Sequence, residues 1–362
     1  MSPFIPETLP LKCLDWTRFI PLIGPANAAV ARYDGILKAI PNPQVLLSPF
    51  TTNEAVLSSR IEGTQATLEE VLEFDAQAKP KQEPKPDVRE VLNYRHAMIE
   101  AVDFLQTRPL CLNLLLQMHS TLMEGVRGQQ HGRGEFRQVQ NWIGRSDSTL
   151  KTAKFVPPDP VVMRESLSNW ERYLHAQEPD RLVQMAVIHA QFEIIHPFTD
   201  GNGRLGRMLI PLFLFSTELI GSPMFYMSAY FDRHRDVYFE SLHRITANGE
   251  WNEWVEFFLR AIREQAQSNF AKAAGILALY EKLKLALPNL ISTQFSVQVI
   301  DALFDRPIFE SSEFIERTQI SKRTALRVLA ALEQADWLRT VRPAKGRSPA
   351  LLSFPELIAL TE

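Results

Sequence analysis

Apolar residues recur at a helical period along most of the chain. Between Asp87 and Leu105, for example, they fall three or four residues apart, which is the spacing of one face of an amphipathic helix. The same pattern predicts helices over 26–40, 51–78, 87–105, 112–124, 161–176, 180–195, 232–248 and 250–287. The segment 51–78 is expected to break near Gly63 and to resume after a capping box formed by Thr67 and Glu70. The sequence therefore predicts a mainly α-helical fold.

Two segments interrupt this helical pattern. Residues 125–160 are rich in glycine and hold short β-prone runs, so we expect a β-hairpin or flap there. Beyond residue 290 we predict three short helices and then two strands, over 297–304, 311–317, 321–335, 338–342 and 349–354. Three helices followed by a hairpin are typical of a winged helix-turn-helix. The chain is accordingly divided into an N-terminal helical region, a central core and a winged helix, over 1–105, 106–287 and 290–362.

Composition narrows the class of protein but leaves its chemistry open. The 362 residues are 45% hydrophobic and 22% charged, as in a globular protein long enough to bury its own core. Cys13 and Cys111 are too few for a disulfide framework or a cysteine-based zinc site, and they fit a reducing compartment. The N-terminus lacks the pattern of a signal peptide, and the most apolar run, Met208–Phe215, is too short to cross a membrane. We therefore expect a cytoplasmic protein.

The segment His196–Arg207, HPFTDGNGRLGR, combines a helix end, a glycine turn and a helix start. Pro197 disfavours helix at His196, so the preceding helix ends there. Gly201 and Gly203 permit a tight turn, and a new helix that begins within the loop is expected to continue to Leu219. A glycine loop that opens a helix presents unpaired N–H groups and the positive end of the helix dipole, which together suit an anion.

The charged side chains of this loop fit a polyphosphate. Arg204 and Arg207 lie one helical turn apart and can reach the same anion. Asp200 is suited to a Mg²⁺ ion that also binds phosphate oxygens, and His196 is of the residue type that serves as a general base near neutral pH. A surface loop with paired arginines would explain any single residue, but it does not explain the whole set. No Gly-Lys-Ser/Thr follows, so the loop is not a P-loop.

The loop resembles the signature of Fic-domain proteins, HxFx(D/E)GNGRxxR, at every specified position. The resemblance extends to the upstream helix LLLQMHSTLMEG, to the flap GEFRQVQNWIG and AKFVPPDP, and to the downstream helices within 226–259. It covers roughly residues 20–270. It implies a Fic helical fold and an enzyme that transfers AMP from ATP to a Tyr, Ser or Thr hydroxyl of a protein target.

The resemblance also implies the role of each residue. His196 would accept the proton of the target hydroxyl, Asp200 would hold Mg²⁺, and Phe198 would anchor the loop in the core. ATP binding would involve Asp200, Gly201, Asn202, Gly203, Arg204, Gly206, Arg207 and Tyr238, the last near the adenine. The flap, residues 134–158, would pair with an extended segment of the target protein. Some branches of the family phosphorylate their targets or transfer phosphocholine, but the conforming glycines and Arg204 favour adenylyl transfer.

A second motif resembles the inhibitory pattern of the same family, S/T-x-x-x-E-G/N. It is matched by Ser58, Glu62 and Gly63, with Ser58 and Glu62 on one helix face and Gly63 able to end the helix. The resemblance implies that Glu62 pairs with Arg207 and leaves ATP in an unproductive position. A solvated glutamate at a helix end is the alternative interpretation.

Other residue clusters carry weaker indications. His189, Glu193 and His196 share a helix face, but the spacing is not that of H-E-x-x-H and a third ligand is not evident, so His189 is better interpreted as a core histidine. His119 and His131 lie near the flap without an assignable partner.

The competing function is that of a DNA-binding regulator. Residues 317–347 carry eight basic and two acidic side chains, a local charge of +6 in a chain of net charge −3. In the third predicted helix of this region, Lys322, Arg323, Thr324 and Arg327 occupy the end where a recognition helix meets DNA. Winged helices also dock proteins and form dimers, so a homodimer stays open as well.

Overall fold

The computed structural model describes residues 2–77, 83–126, 132–144, 149–291, 294–346 and 348–362. Over these ranges the chain is mainly helical, as the sequence predicts. The elements of the N-terminal half are α1 (Trp16–Ala39), α2 (Pro43–Leu46), α3 (Ser48–Ile61), α4 (Leu68–Asp75), α5 (Pro86–Leu105), α6 (Leu112–Leu122) and α7 (Pro160–Leu174). Those that follow are α8 (Arg181–Ile195), α9 (Asn202–Ser216), α10 (Ser228–Arg233), α11 (Arg235–Asn248) and α12 (Trp251–Leu290).

Helices α8 and α9 form the centre of the molecule. Nearly every side chain of both helices is buried, because they are mostly apolar and are covered by α5, α7, α11 and α12. Asp180 caps the start of α8 by accepting hydrogen bonds from the N–H groups of Leu182 and Val183, both at 2.9 Å. The loop His196–Arg207 joins these two buried helices, so its position is set by the core.

Helix α1 is longer than the sequence pattern indicates. It begins at Trp16, ten residues before the predicted start, and it contains Pro21 and Pro25. Proline removes a backbone donor and usually marks a boundary. Here the helix continues because α1 packs along the 40-residue helix α12, and this tertiary contact outweighs the local preference.

Helices α3 and α4 confirm the predicted break and capping box. Glu70 N–H donates to the Thr67 hydroxyl at 3.2 Å, and Thr67 N–H donates to the Glu70 carboxylate at 3.1 Å. Helix α3 is buried along almost its whole length between α5, α9 and α10. The Asn53 side chain, near its start, also donates to the backbone oxygen of Thr361 at 2.7 Å. The C-terminus of the chain therefore contacts the helix that carries Glu62.

The C-terminal region contains the three predicted helices and the predicted strand pair, with two elements that the sequence pattern missed. Its elements are α13 (Ser296–Asp305), β1 (Ile308–Glu310), α14 (Ser311–Thr318), α15 (Lys322–Gln334), β2 (Arg339–Arg342), β3 (Leu351–Ser353) and α16 (Pro355–Thr361). The antiparallel sheet has the order β1-β3-β2, with Ser353 opposite both Ile308 and Arg339. The three-residue strand β1 and the short helix α16 give too little periodic signal to be predicted.

The C-terminal region shares a hydrophobic core with the rest of the protein. Helix α12 continues to Leu290 and packs against both α13 and α16, and Leu332 belongs to the same buried cluster as Phe19. The division near residue 290 therefore stays a prediction, as does the identification of a winged helix.

The flap forms much less strand than expected. Among the described residues of 134–158, Ile143 and Phe155 make an isolated antiparallel bridge, with Ile143 N–H donating to Phe155 O at 2.8 Å. Residues 145–148, at the expected turn, lie outside the described residues. The buried Arg137 guanidinium donates to the carbonyls of Val139 and Pro158, so side-chain bonds replace a continuous ladder.

Candidate active site

The loop between α8 and α9 is closed by its own side chains. His196 ends α8 with φ 48°, and Gly201 precedes α9 with φ 79°, so two left-handed residues turn the chain. Asn202 holds the loop together: Phe198 N–H donates to Asn202 Oδ1 at 2.9 Å, and Asn202 Nδ2 donates to Phe198 O at 2.8 Å. Both polar atoms of its amide thus bind within the loop, and the expected contribution of Asn202 to ATP binding stays a prediction.

The imidazole of His196 is neutral in the folded protein. Burial lowers the pKa of its imidazole to about 4, so the ring is neutral at pH 7. Nδ1 lies 3.3 Å from the carbonyl oxygen of Glu193. Since a carbonyl only accepts, Nδ1 carries the proton and Nε2 is the basic atom.

Arg137 fixes the backbone on which His196 stands. Its Nε donates to His196 O at 2.9 Å, and a second nitrogen donates to Ile195 O at 3.4 Å. Arg137 N–H donates to Pro197 O at 2.9 Å. No sequence pattern indicated this residue, because its partners are backbone carbonyls that become neighbours only in the folded chain.

His119 supports the opposite side of the loop. Its ring stacks on Phe198 with a centroid separation of 3.9 Å, and Phe198 is fully buried, as expected of the loop anchor. Gly134 N–H donates to His119 Nδ1 at 2.9 Å, so Nε2 donates to Asp200 O at 3.2 Å. His119 thus links α6, the flap and the loop, while His131 lies outside the described residues.

Asp200 is the acidic residue of the loop, and its side chain is 56% exposed. Its Oδ1 accepts from Gly201 N–H at 2.6 Å and lies 3.7 Å from an Arg204 nitrogen. The described residues contain no cluster of three potential metal ligands. A single exposed carboxylate still fits Mg²⁺, because this ion commonly binds through one or two carboxylates with substrate phosphates and water.

Arg204 is buried and paired with an acid that no sequence motif indicated. Its Nη1 donates to Glu90 Oε2 at 3.2 Å, and the same oxygen accepts from the Thr64 hydroxyl at 2.9 Å. Glu90 lies on α5, far from the loop in sequence, and no motif around it indicates a pairing with Arg204.

Arg207 is completely buried and is bound by the motif in α3. Its Nε donates to the Ser58 hydroxyl at 2.9 Å, while Nη2 donates to Ser58 O at 2.9 Å and to Glu62 Oε1 at 2.7 Å. Burial disfavours the charged form of Glu62, but the charge of Arg207 outweighs this and lowers the pKa of the carboxyl. A Cβ on Gly203 would collide with Glu62 Oε1, so the carboxylate lies directly over the start of α9.

Gly206 and Tyr238 are both hydrogen-bonded to His189 in the core. A Cβ on Gly206 would collide with Glu193, and Gly206 O accepts from His189 Nδ1 at 2.9 Å. His189 Nε2 therefore accepts from the buried Tyr238 hydroxyl at 2.9 Å. Gly206 therefore packs between α8 and α9, while its expected part in ATP binding stays a prediction, and His189 is a core histidine.

A cavity of about 1040 Å³ opens beside the loop. Its walls come from the loop, from α3, from α11 and from the flap, and they include Glu62, His196, Gly203, Arg207, Tyr238 and Phe155. This volume suits a ligand of nucleotide size. The tertiary structure thus brings the two sequence motifs, 58–63 and 196–207, to one site.

The chain matches two models of one protein family. Residues 20–103 match the model of the Fic/DOC family N-terminal region, and residues 109–214 match the Fic/DOC family model. Together the two matches cover more than half of the chain, which belongs to the Fic/DOC family.

Curated relatives share part of the chain. A probable protein adenylyltransferase of Aquifex aeolicus is 27% identical over 188 residues, which are 49% of this chain and 53% of the relative. Protein adenylyltransferase Fic of Culex quinquefasciatus is 29% identical over 153 residues, which are 41% of this chain and 27% of the relative. The chain therefore spans about half or less of the length of these relatives.

Solved structures share the fold. A Fic family protein from Desulfovibrio desulfuricans has a TM-score of 0.57 at 20% identity, with 98% of both chains covered. A Fic domain containing signaling protein from Bacteroides thetaiotaomicron has a TM-score of 0.53 at 17% identity, covering 69% of this chain and 97% of that one. Among the helices of the described ranges, none is both long and apolar enough to span a membrane.

Proposed function

We propose that the protein transfers AMP from ATP to a Tyr, Ser or Thr hydroxyl of a protein target, and to itself, with release of pyrophosphate. The observation that carries the proposal is the neutral imidazole of His196, which lies in one cavity wall with Gly203 and Arg207. A base beside the start of a helix and an arginine is what attack on a polyphosphate requires. The names of the curated relatives support the same reaction class.

In the proposed reaction His196 Nε2 accepts the proton of the target hydroxyl. The hydroxyl oxygen forms a bond to the α-phosphorus, the bond from that phosphorus to the bridging oxygen breaks, and pyrophosphate leaves. Backbone N–H groups at Gly201–Gly203 stabilise the charge on the α-phosphate. Asp200 would hold Mg²⁺, which neutralises phosphate charge when bound.

The two arginines contribute in different ways. Arg207 is a cation of the cavity wall beside the loop, and it orients the β- and γ-phosphates. Arg204 adds positive charge from behind the loop while its guanidinium stays bound to Glu90. Asn202 acts by holding the loop closed through its two hydrogen bonds to Phe198.

We assign an inhibitory role to Glu62, assisted by Ser58. The Glu62 carboxylate occupies Arg207 at 2.7 Å and covers Gly203, which are the groups that ATP phosphates need. A phosphate must therefore displace Glu62 or bind in another position. Whatever moves the end of α3 would relieve this inhibition.

The flap is the proposed docking site for the protein target. Val139, Trp142 and Ile143 are exposed there, and Phe155 lies both in the bridge with Ile143 and in the cavity wall. An extended target segment that pairs with the backbone beside this bridge would place its hydroxyl near His196.

The experiment that tests the enzyme function follows the fate of ATP labelled at different phosphates. Protein of the Glu62→Gly variant is incubated with ATP labelled at the α-phosphate or the γ-phosphate, and incorporation is measured by mass and by label. We expect α-label alone to be retained, and we expect His196→Ala in the same background to abolish it without loss of ATP binding. Retention of γ-label would instead indicate a kinase, and activity that survives in His196→Ala would remove the assigned base.

A second function, DNA binding through the C-terminal region, is favoured by a specific observation. On α15 the side chains of Lys322, Arg323 and Arg327 are exposed on one face, and all four residues of β2 are exposed beside it. An exposed basic helix followed by a hairpin is the surface that winged helices present to DNA. The alternative uses of this surface are docking of a protein and formation of a homodimer.

A shift assay with duplex DNA of random sequence at low salt tests this second function. Binding should weaken with salt, since lysine and arginine contacts to phosphates release counterions. Charge reversal at Lys322 and Arg323 should abolish it while AMP transfer is unchanged. Absence of any shift at low salt would exclude DNA, and sedimentation of the same sample then distinguishes a dimer from a monomer.

A further inference from the structure

Glu193 is a half-buried acid in the cavity wall that the proposed reaction does not use. It lies on α8, one turn before His196, and its side chain forms part of the cavity wall. Its Oε1 is inaccessible to solvent and has no hydrogen-bond partner among the described residues. Buried carboxyl oxygens are nearly always hydrogen-bonded, so an unpaired one beside a ligand cavity points to a partner that arrives with the ligand.

The position of Glu193 is built into the packing of the site. Its carboxyl lies against Gly206, where any Cβ would collide with Oε1. Arg207, one residue later on α9, also has an unpaired buried nitrogen, Nη1. The cavity wall therefore includes an unpaired oxygen of Glu193 and an unpaired nitrogen of Arg207, and both atoms are inaccessible to solvent.

We propose that Glu193 is a nucleotide-binding residue whose protonated carboxyl donates a hydrogen bond to a phosphate oxygen of the ATP that Arg207 holds. This inference rests on the proposed function, because it takes ATP to be the ligand of the cavity. In this proposal Gly206 makes room for the Glu193 carboxyl and does not itself contact the nucleotide.

The charges around Glu193 favour a neutral carboxyl. The groups that face it are Arg207 on α9, Glu62 on α3, and Tyr238 on α11, with His189 one turn away on its own helix. Burial, reinforced by the negative charge of Glu62 and opposed by Arg207, raises the pKa of Glu193 to about 8. An incoming phosphate takes the place of the Glu62 charge, so the carboxyl stays protonated and serves as a donor.

The test measures ATP affinity by calorimetry in the Glu62→Gly background, at about pH 7 and about pH 9.5. Three proteins are compared in that background: the parent, Glu193→Gln and Glu193→Ala. Glutamine keeps a donor that does not titrate, whereas alanine removes it. The control is Glu240→Gln, which alters another carboxyl of the cavity wall that is exposed and paired with Arg244. Thermal unfolding confirms that each variant is folded.

We expect the parent to bind ATP about tenfold more weakly at the higher pH, because the donor is lost and a charge appears. Glu193→Gln should match the parent at the lower pH and should show a much smaller loss on raising the pH. Glu193→Ala should bind about tenfold more weakly at both values, and Glu240→Gln should behave as the parent. Equal affinity and equal pH dependence in all four proteins would overturn the role of Glu193.

The same data separate this inference from the proposed function. If the parent binds no ATP, the proposed function fails and the inference fails with it. If the parent binds ATP but transfers no AMP, the reaction is wrong, yet the comparison of the Glu193 variants still decides whether this carboxyl contacts the nucleotide.

Discussion

Replacing Glu62 by glycine is the most direct perturbation of the candidate site. The change removes the carboxylate that accepts from Arg207 at 2.7 Å and that covers Gly203. Arg207 keeps its two hydrogen bonds to Ser58, so the guanidinium should stay in place. The result is a cavity in which the arginine is open to a phosphate, with little change to the fold.

The size of the effect follows from this one contact. A hydrogen bond between charged groups contributes about 1.5–3 kcal/mol. Since the Glu62 side chain is 36% exposed, solvent screens the pair and the lower value is appropriate, about 1.5 kcal/mol. If a phosphate must displace this contact, removing it should increase automodification by about tenfold at ATP concentrations below saturation.

The assay is incorporation of α-labelled AMP into the protein itself, measured as an initial rate. Glu69→Gly is a matched control, because Glu69 is an exposed glutamate in the first turn of the next helix, α4. It should leave the rate unchanged. An unchanged rate in Glu62→Gly, in protein shown to bind ATP, would refute the inhibitory role.

Three further substitutions test buried polar residues in and around the site. Glu90→Gln leaves Arg204 buried without its closest acid, so the free energy of unfolding in urea should fall by about 3 kcal/mol, and no change would mean that the pair is not formed. Asn202→Ala removes both hydrogen bonds that close the loop and should abolish AMP transfer while lowering stability by about 2 kcal/mol. Burial raises the pKa of Glu54, which accepts from Ser228, to about 7, so the folded state holds this proton more tightly than the unfolded state. Its contribution to stability is present at low pH and is lost as the pH rises through about 7, and Glu54→Gln should flatten that decline in unfolding curves taken between about pH 5 and pH 8.

Local sequence patterns were sufficient to predict the structure where it depends on residues that are close together in the chain. The capping box of Thr67 and Glu70 and the helix start in the glycine loop each involve atoms only a few residues apart. Helix α1 shows the limit, because its proline-containing start is stabilised by α12, more than two hundred residues later in the chain.

Within the candidate site too, local features were predictable from the sequence and long-range contacts were not. The types of residue in the loop indicated an anion, a base and a cation, and the contact between Glu62 and Arg207 followed from the family resemblance. The pairing of Arg204 with Glu90 and the support of His196 by Arg137 had no signal in sequence.

By itself, the sequence determined the helical fold class, the chemistry of the loop and the residues that could act there. These properties follow from residue type, spacing and backbone preference, which are local quantities. The tertiary structure alone decided which polar groups are already satisfied and which face the cavity. It bound the Asn202 amide within the loop, placed Gly206 against Glu193, and left Glu193 Oε1 without a partner among the described residues. Burial and hydrogen-bond partners depend on the packing of distant helices, and these determine the protonation state and the role of each side chain.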